Sequence, residues 1–283
     1  MAECRVEVVA STPEDVCLAA EGGADRVEFC THLASGGLTP GRGLVEEALV
    51  MARQLGVGFR VLVRPREGDF VYSRAEKRAI LRESEGLLGL GVDRVVTGGL
   101  DQNGVPDLDL LATLDQSVGL DNVVFHRAAD DAAGATDAAA ILRNAGVKAV
   151  LTSGGALKAV DGLERIRLWS NSGLQVIAGA GVLPAHAQAL VEAGVEAVHA
   201  SCRVPVATHG KSVLFDRSRT EVSAAQVAEL VAAEVGLGKR IQLAQRFFRT
   251  DQIFAELIVL GLIGFAIDMG FRLLLRLSCK WAV

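Results

Sequence analysis

The chain has 283 residues, 50% of them hydrophobic and only 5% aromatic, and a formal net charge of −5. One α/β barrel of roughly 250 residues would use nearly all of it. The acidic balance, with no basic stripe, excludes nucleic acid as a partner. Five cysteines (Cys4, Cys17, Cys30, Cys202, Cys279) show no CxxC and no paired spacing, the usage of reduced cytosolic thiols rather than a disulfide framework. The N-terminus has no apolar signal core and enters a strand directly, so a cytoplasmic location is expected.

Eight strands are expected in chain order, over 5–10, 26–30, 58–64, 93–97, 122–126, 149–152, 174–178 and 196–200. Amphipathic helical stretches at 13–22, 73–90, 156–171 and 184–193 lie between them, and 223–236 reads as a closing helix. The first of these has Pro13 in its first turn and Gly22 at its end, the usual asymmetry of a helix. One phrase recurs four times: Gly23-Ala24-Asp25-Arg26-Val27, Gly91-Val92-Asp93-Arg94-Val95, Gly146-Val147-Lys148-Ala149-Val150 and Gly194-Val195-Glu196-Ala197-Val198. In each the glycine suits a helix C-cap and the residues after it start a buried strand. Each interval holds one further strand and two helices, giving four βαβα units and a single (β/α)8 TIM barrel. A doubly wound open sheet uses the same alternation, and the fourfold repeat favours the barrel.

Chemistry in such a barrel sits at the C-terminal strand ends. Strands 1 and 2 carry Glu7 and Glu28 inside apolar runs, costly positions for a charge unless it is paired. Two readings stay open: the pair balances Arg64 and Arg66 in a buried ion network, or it serves as ligand or acid–base groups. Strand 3 ends in Arg64-Pro65-Arg66 with Asp69 beyond, strand 4 in Thr97, strand 5 in His126-Arg127 with Asp130, and strand 6 in Thr152-Ser153. Strand 7 runs into Gly179-Ala180-Gly181, a phosphate cradle or merely a tight turn, and strand 8 carries His199 and Ser201. Cys30 and Cys202, at the ends of strands 2 and 8, are two buried thiols or a soft Cu(I) site.

Six ordered motifs carry a family resemblance: the octapeptide from Gly23 to Cys30, Gly36-Gly37-Leu38-Thr39-Pro40, the run from Arg64-Pro65-Arg66 to Ser73, Val96-Thr97-Gly98-Gly99-Leu100, Phe125-His126-Arg127-Ala128-Ala129-Asp130, and Val150-Leu151-Thr152-Ser153-Gly154-Gly155. Over about residues 5–236 the chain resembles the CutC copper homeostasis family. The resemblance implies a (β/α)8 barrel, a cytoplasmic homo-oligomer and a role in copper handling. It also implies Cu(I) at Cys30. The family's other copper-linked cysteine, on strand 1, is replaced by Val8-Val9. Glu7, Glu28, Arg64, Arg66, Asp69, His126, Arg127 and Asp130 all match the family pattern.

The barrel is expected to occupy 1–238 and an apolar helical tail 239–283. Residues 257–267 hold no charge, and the apolar run reaches 275 if Asp268 and Arg272 are tolerated. That is marginal for a spanning helix of about 20 residues. The tail reads as a helix packed on the barrel, as a membrane-associated helix through 257–275, or as a fusion remnant; residues 248–268 resemble the last membrane span of nitrate/sulfonate-type importer permeases. Three functions follow. The first is copper homeostasis with Cu(I) at Cys30 and Cys202. The second is an isomerase- or lyase-type enzyme for a small anionic or phosphorylated metabolite. There Glu7, Glu28, His126 and Asp130 are catalytic, and Arg64, Arg66, Asp69, Thr97, Arg127, Ser153, Gly179, Gly181, His199 and Ser201 bind the substrate. The third is a membrane-tethered accessory protein.

Overall fold

The computed structural model describes residues 4–132, 135–206 and 219–235 and, in the tail, positions 258–260, 262–263, 265 and 269. Strands β1 (Arg5–Ala10), β2 (Arg26–Phe29), β3 (Gly58–Leu62), β4 (Arg94–Thr97), β5 (Val123–Phe125), β6 (Ala149–Thr152), β7 (Gln175–Gly179) and β8 (Ala197–Ala200) pair in chain order. The ladder closes where β8 pairs β1 in parallel, from Arg5↔Ala197 to Val8↔Ala200. An open sheet would leave those two strands apart, so the chain is the (β/α)8 barrel its repeat predicts. Helices α1 (Pro13–Gly22), α2 (Arg42–Leu55), α3 (Arg74–Leu90), α4 (Leu108–Val118), α5 (Ala135–Asn144), α6 (Leu163–Asn171) and α7 (Ala187–Glu192) connect the strands, and α8 (Ala224–Val235) follows them.

The repeated glycines do the work assigned to them. Gly23, Gly91, Gly146 and Gly194 lie at φ of 91°, 90°, 99° and 84°, the left-handed region where an L side chain costs about 1–2 kcal/mol. Each helix therefore stops and the chain turns into an even-numbered strand. At α1 the Thr12 hydroxyl accepts from the Asp15 N–H at 3.1 Å. At α3 Ser73 and Glu76 form a reciprocal capping box, with Glu76 accepting the Ser73 N–H at 2.7 Å and Ser73 accepting the Glu76 N–H at 3.3 Å. Replacing Ser73 with Ala should cost about 1 kcal/mol, read as a lower urea midpoint at unchanged slope. One layer of the barrel interior is apolar: Val9, Leu62, Val96, Val124, Leu151 and Ile177 form one buried cluster with Cys30. Strands covered on both faces read as continuous Val-rich runs for this reason.

Three strands end earlier than the hydrophobic pattern suggests, each just before a residue of interest. β2 stops at Phe29 and β3 at Leu62. Arg64 leaves its ladder because its backbone exchanges hydrogen bonds with Thr39, whose hydroxyl takes the Arg64 N–H at 2.8 Å. β5 stops at Phe125, and His126 opens a short 3-10 turn over Arg127–Ala129. Beyond β8 a hairpin of β9 (Arg203–Val206) and β10 (Arg219–Val222) forms that the sequence reading did not foresee. Buried Asp15 of α1 anchors it, accepting from Arg203 Nη1 and the Val222 N–H, both at 2.9 Å.

The chain divides into two compact units, Met1–Glu234 and Val235–Val283. In the second unit the described positions are helical, and Ile258, Leu262 and Phe265 are exposed. Among the described residues no helix is long and apolar enough to cross a membrane. The membrane contact expected through 257–275 falls mostly outside the described residues, as does Cys279.

Candidate functional site

Register places the charges. Glu7 is level with Arg26 on β2 and His199 on β8, and Glu28 is level with Arg60 on β3. Glu7 is fully buried and all its bonds stay inside the barrel: with Arg26 Nε, with Arg60 Nη1 at 3.0 Å, and with His199 Nδ1 at 2.7 Å. Arg26 also holds Glu196 through both terminal nitrogens, at 2.9 and 2.8 Å. An ion network therefore exists around Glu7, with Arg26 and Arg60 in place of Arg64 and Arg66, and among the described residues Glu28 has no ion pair in it. Burial opposes ionisation of Glu7, yet Arg26, the His199 hydrogen bond and Arg60 together hold its carboxyl well below the usual range.

Above this layer opens a cleft of about 1400 Å³. Of the anticipated residues, Glu28, Cys30, Arg64, His126, Arg127, Asp130, Gly181, His199, Ser201 and Cys202 line it. Glu7, Arg66, Asp69, Thr97, Ser153 and Gly179 do not. Arg66 folds onto its own loop, bonded to Glu76 at 2.6 Å and Asp69 at 3.1 Å. The Thr97 hydroxyl donates to the Val63 carbonyl at 2.8 Å, behind the wall. Ser153 belongs to a latch: its N–H bonds Asp130 at 3.0 Å, its hydroxyl donates to the Ala156 carbonyl at 2.6 Å, and Asp130 is gripped by Arg127 at 2.8 Å. Gly179 closes a β7 turn in which Ala180 sits at φ 88°. Ala180 and Cys202 (φ 45°) are strained non-glycine positions on the wall, a kind that concentrates at functional sites.

The wall groups have distinct electrostatics. Burial pushes Glu28 up to about 7, with His199 pulling it back and Glu7 adding to the rise. Its Oε2 has no partner. Burial, helped by Arg64, pushes His126 down to about 3. His126 Nδ1 accepts the Ala128 N–H at 3.2 Å, so the ring proton sits on Nε2, which has no partner either. His199 moves the other way: burial opposes its charge, but Glu28 and Glu7 raise it. Burial and then Glu28 push the Cys30 thiol far up, and burial alone lifts Cys202 to about 11. Glu7, Glu28 and His199 also bring ligand atoms within 4.8 Å of one another. Arg26 and Arg60 already provide the positive charge a divalent ion would bring there, so this trio suits a proton-bearing cluster better than a metal cage.

Sequence reasoning missed Arg26 and Arg60, though Arg60 shows the same signal as the glutamates, a charge inside the apolar run Gly58-Phe59-Arg60-Val61-Leu62. It also missed Phe70, whose ring lies under Arg64 at 4.9 Å and 5.0 Å from the His126 ring.

The closed parallel ladder, with ionisable side chains gathered from the strand ends into one cleft, defines the class: an α/β barrel with its polar groups at one end. The CutC family is matched over residues 4–204, and the chain belongs to that family. A CutC family protein of Xanthomonas campestris pv. campestris is 41% identical over 209 residues, covering 71% of this chain and 85% of the relative. One of Caulobacter vibrioides is 38% identical, covering 71% and 82%. A crystal structure from Streptococcus agalactiae, described as a putative copper homeostasis protein CutC, superposes with a TM-score of 0.65 at 26% identity, covering 70% of this chain and 98% of that one. The family match ends at 204, and the tail's likeness to a permease span is not borne out by these comparisons.

Proposed function

We propose that the protein serves copper homeostasis in the cytoplasm, as a homo-oligomer that takes up Cu(I) in the cleft as cargo. The family and the description of the streptococcal relative support the role. The observation that carries it is the presence of two thiols, Cys30 and Cys202, on the wall of one cleft. They flank β1 from β2 and β8, and thiolates are the ligands Cu(I) prefers. Val9, also on the wall, stands where the resemblance places a further thiol. Cys17, Cys30 and Cys202 are free thiols, the state a reducing compartment maintains.

Both wall thiols are held protonated by burial, so Cu(I) must displace a proton from each. Affinity should then rise by about two decades per pH unit between pH 6 and 8. Titration of the full chain against a competing Cu(I) chelator measures this. Cys30→Ser should weaken binding by about 100-fold or more and halve the pH slope. Binding unchanged in that variant would refute the thiol site.

A further inference from the structure

Seven buried side-chain nitrogens and oxygens among the described residues lack a hydrogen-bond partner, and three of them belong to the cleft wall: Glu28 Oε2, Arg64 Nε and His126 Nε2. Their residues are only 5%, 6% and 3% exposed. Leaving a buried donor or acceptor unpaired is costly, so three on one wall call for a ligand that completes them. They differ in kind. Glu28 offers a carboxylate oxygen. His126, with Nδ1 occupied by the Ala128 N–H, offers a neutral N–H. Arg64 offers a cationic N–H, its terminal nitrogens being held by the carbonyls of Ser35 at 2.7 Å, Gly37 at 3.2 Å and Gly68 at 2.9 Å. Phe70 packs between Arg64 and His126, and Leu33, Leu62 and Leu151 complete an apolar wall. A proton acceptor, a neutral donor and a fixed cation in an apolar cleft match a molecule with an acidic C–H, a carbonyl oxygen and an anionic group.

We propose that the cleft is an enolising active site for a small anionic carbonyl compound, with Glu28 as base, His126 Nε2–H as donor to the carbonyl oxygen and Arg64 Nε–H on the anionic group. In the step, the C–H bond next to the carbonyl breaks and its proton forms an O–H bond on Glu28 Oε2. The C–H electron pair becomes the C=C bond of the enolate, and the carbonyl π pair moves to oxygen, where His126 stabilises it. The proton returns to the same carbon, so no oxidant or second reactant is needed. A neutral imidazole donor and a carboxylate base are a workable pair for this chemistry. The groups facing Glu28 are His199 from β8, Glu7 from β1, Arg60 from β3 and Arg26 from its own strand; Arg64 faces His126. His126 stays neutral from pH 5 upward, so the neutral donor is in place throughout the assay range.

The test is deuterium wash-in followed by proton NMR, using the full chain in D2O at pH 8. The probes are 2-oxobutanoate, whose anion is a carboxylate, and dihydroxyacetone phosphate, whose anion is a phosphate. Loss of the C–H signal next to the carbonyl, faster than in buffer, is expected for one of them, and which one identifies the anion that Arg64 takes. Glu28→Gln should slow the wash-in by about 100-fold or more, and His126→Ala by a similar factor, in variants that keep a cooperative unfolding transition. Neither probe exchanging above the buffer rate, or Glu28→Gln exchanging as fast as the parent chain, would overturn the proposal.

Discussion

Replacing Glu7 with Ala should lower the stability of the barrel by about 3–5 kcal/mol, the range for removing one partner of a buried ion pair. The methyl group would leave the buried guanidiniums of Arg26 and Arg60 without the carboxylate between them and take away the acceptor of His199 Nδ1. Arg26 keeps Glu196, which keeps the loss within that range. In a chain of this size each kcal/mol moves the melting point by roughly 2–4 °C, so a fall of about 10 °C is expected. Trp169, buried in α6, reports it by fluorescence. Glu7→Gln should fall between the two, because it keeps an acceptor oxygen but not the charge. The pH dependence is distinctive. The folded pKa of Glu7 lies below its ordinary 4.5, so its contribution is fully present above that value and is lost only as pH falls through the depressed one. The part of the gap due to Glu7's own ionisation should therefore narrow only in strong acid, while the lost Glu7–His199 interaction adds to the gap as pH falls through the raised range of His199. A loss under about 1 kcal/mol would mean that water reaches this layer of the barrel.

The contrast between Glu7 and Glu28 shows what one sequence can disclose. Both were visible as charges in apolar strands, because a carboxylate among Val, Phe and Ala has no surface reason to be there. Their different fates depend on register. Pairing sets Glu7 level with Arg26 and His199, while Glu28 meets Arg60 across β3 and keeps one oxygen bare. A shift of one residue would exchange the faces, and nothing in the composition fixes it. The run from Arg64 to Asp69 was legible as polar but not as divided. Arg64 turns into the cleft, while Arg66 is recruited by the α3 cap through Glu76. The His126 tautomer depends on one backbone N–H in a turn only three residues long, below what periodicity can reveal. The hairpin after β8 escaped because its strands are short and one contains Pro205, which demotes a strand signal. The fold itself was legible because a glycine C-cap repeated four times is a backbone requirement and does not depend on side-chain partners.

Glu28→Gln should act in the opposite direction to Glu7→Ala, making the protein more stable at pH 8. Burial holds the Glu28 carboxyl near 7 in the fold against an ordinary 4.5. The raised value means that the protonated form suits the folded state. Its contribution is present below pH 4.5 and is lost as pH rises towards 7, where the unfolded chain ionises freely and the folded one resists. A gap of two to three pH units corresponds to about 3 kcal/mol at 1.36 kcal/mol per unit. The amide returns part of this, about 1 kcal/mol, because its NH2 needs a partner in the same place. A net gain of about 2 kcal/mol is expected at pH 8, with most of it present by pH 7 and a small net loss, under about 1 kcal/mol, near pH 4.5. Urea midpoints of parent and variant at the three pH values measure it. A group whose removal stabilises the fold is held there for some reason other than stability, which is the signature of a residue kept for a ligand. If Glu28→Gln instead loses stability at every pH, Glu28 belongs with Glu7 in the structural network, and the cleft is left without the base assigned to it.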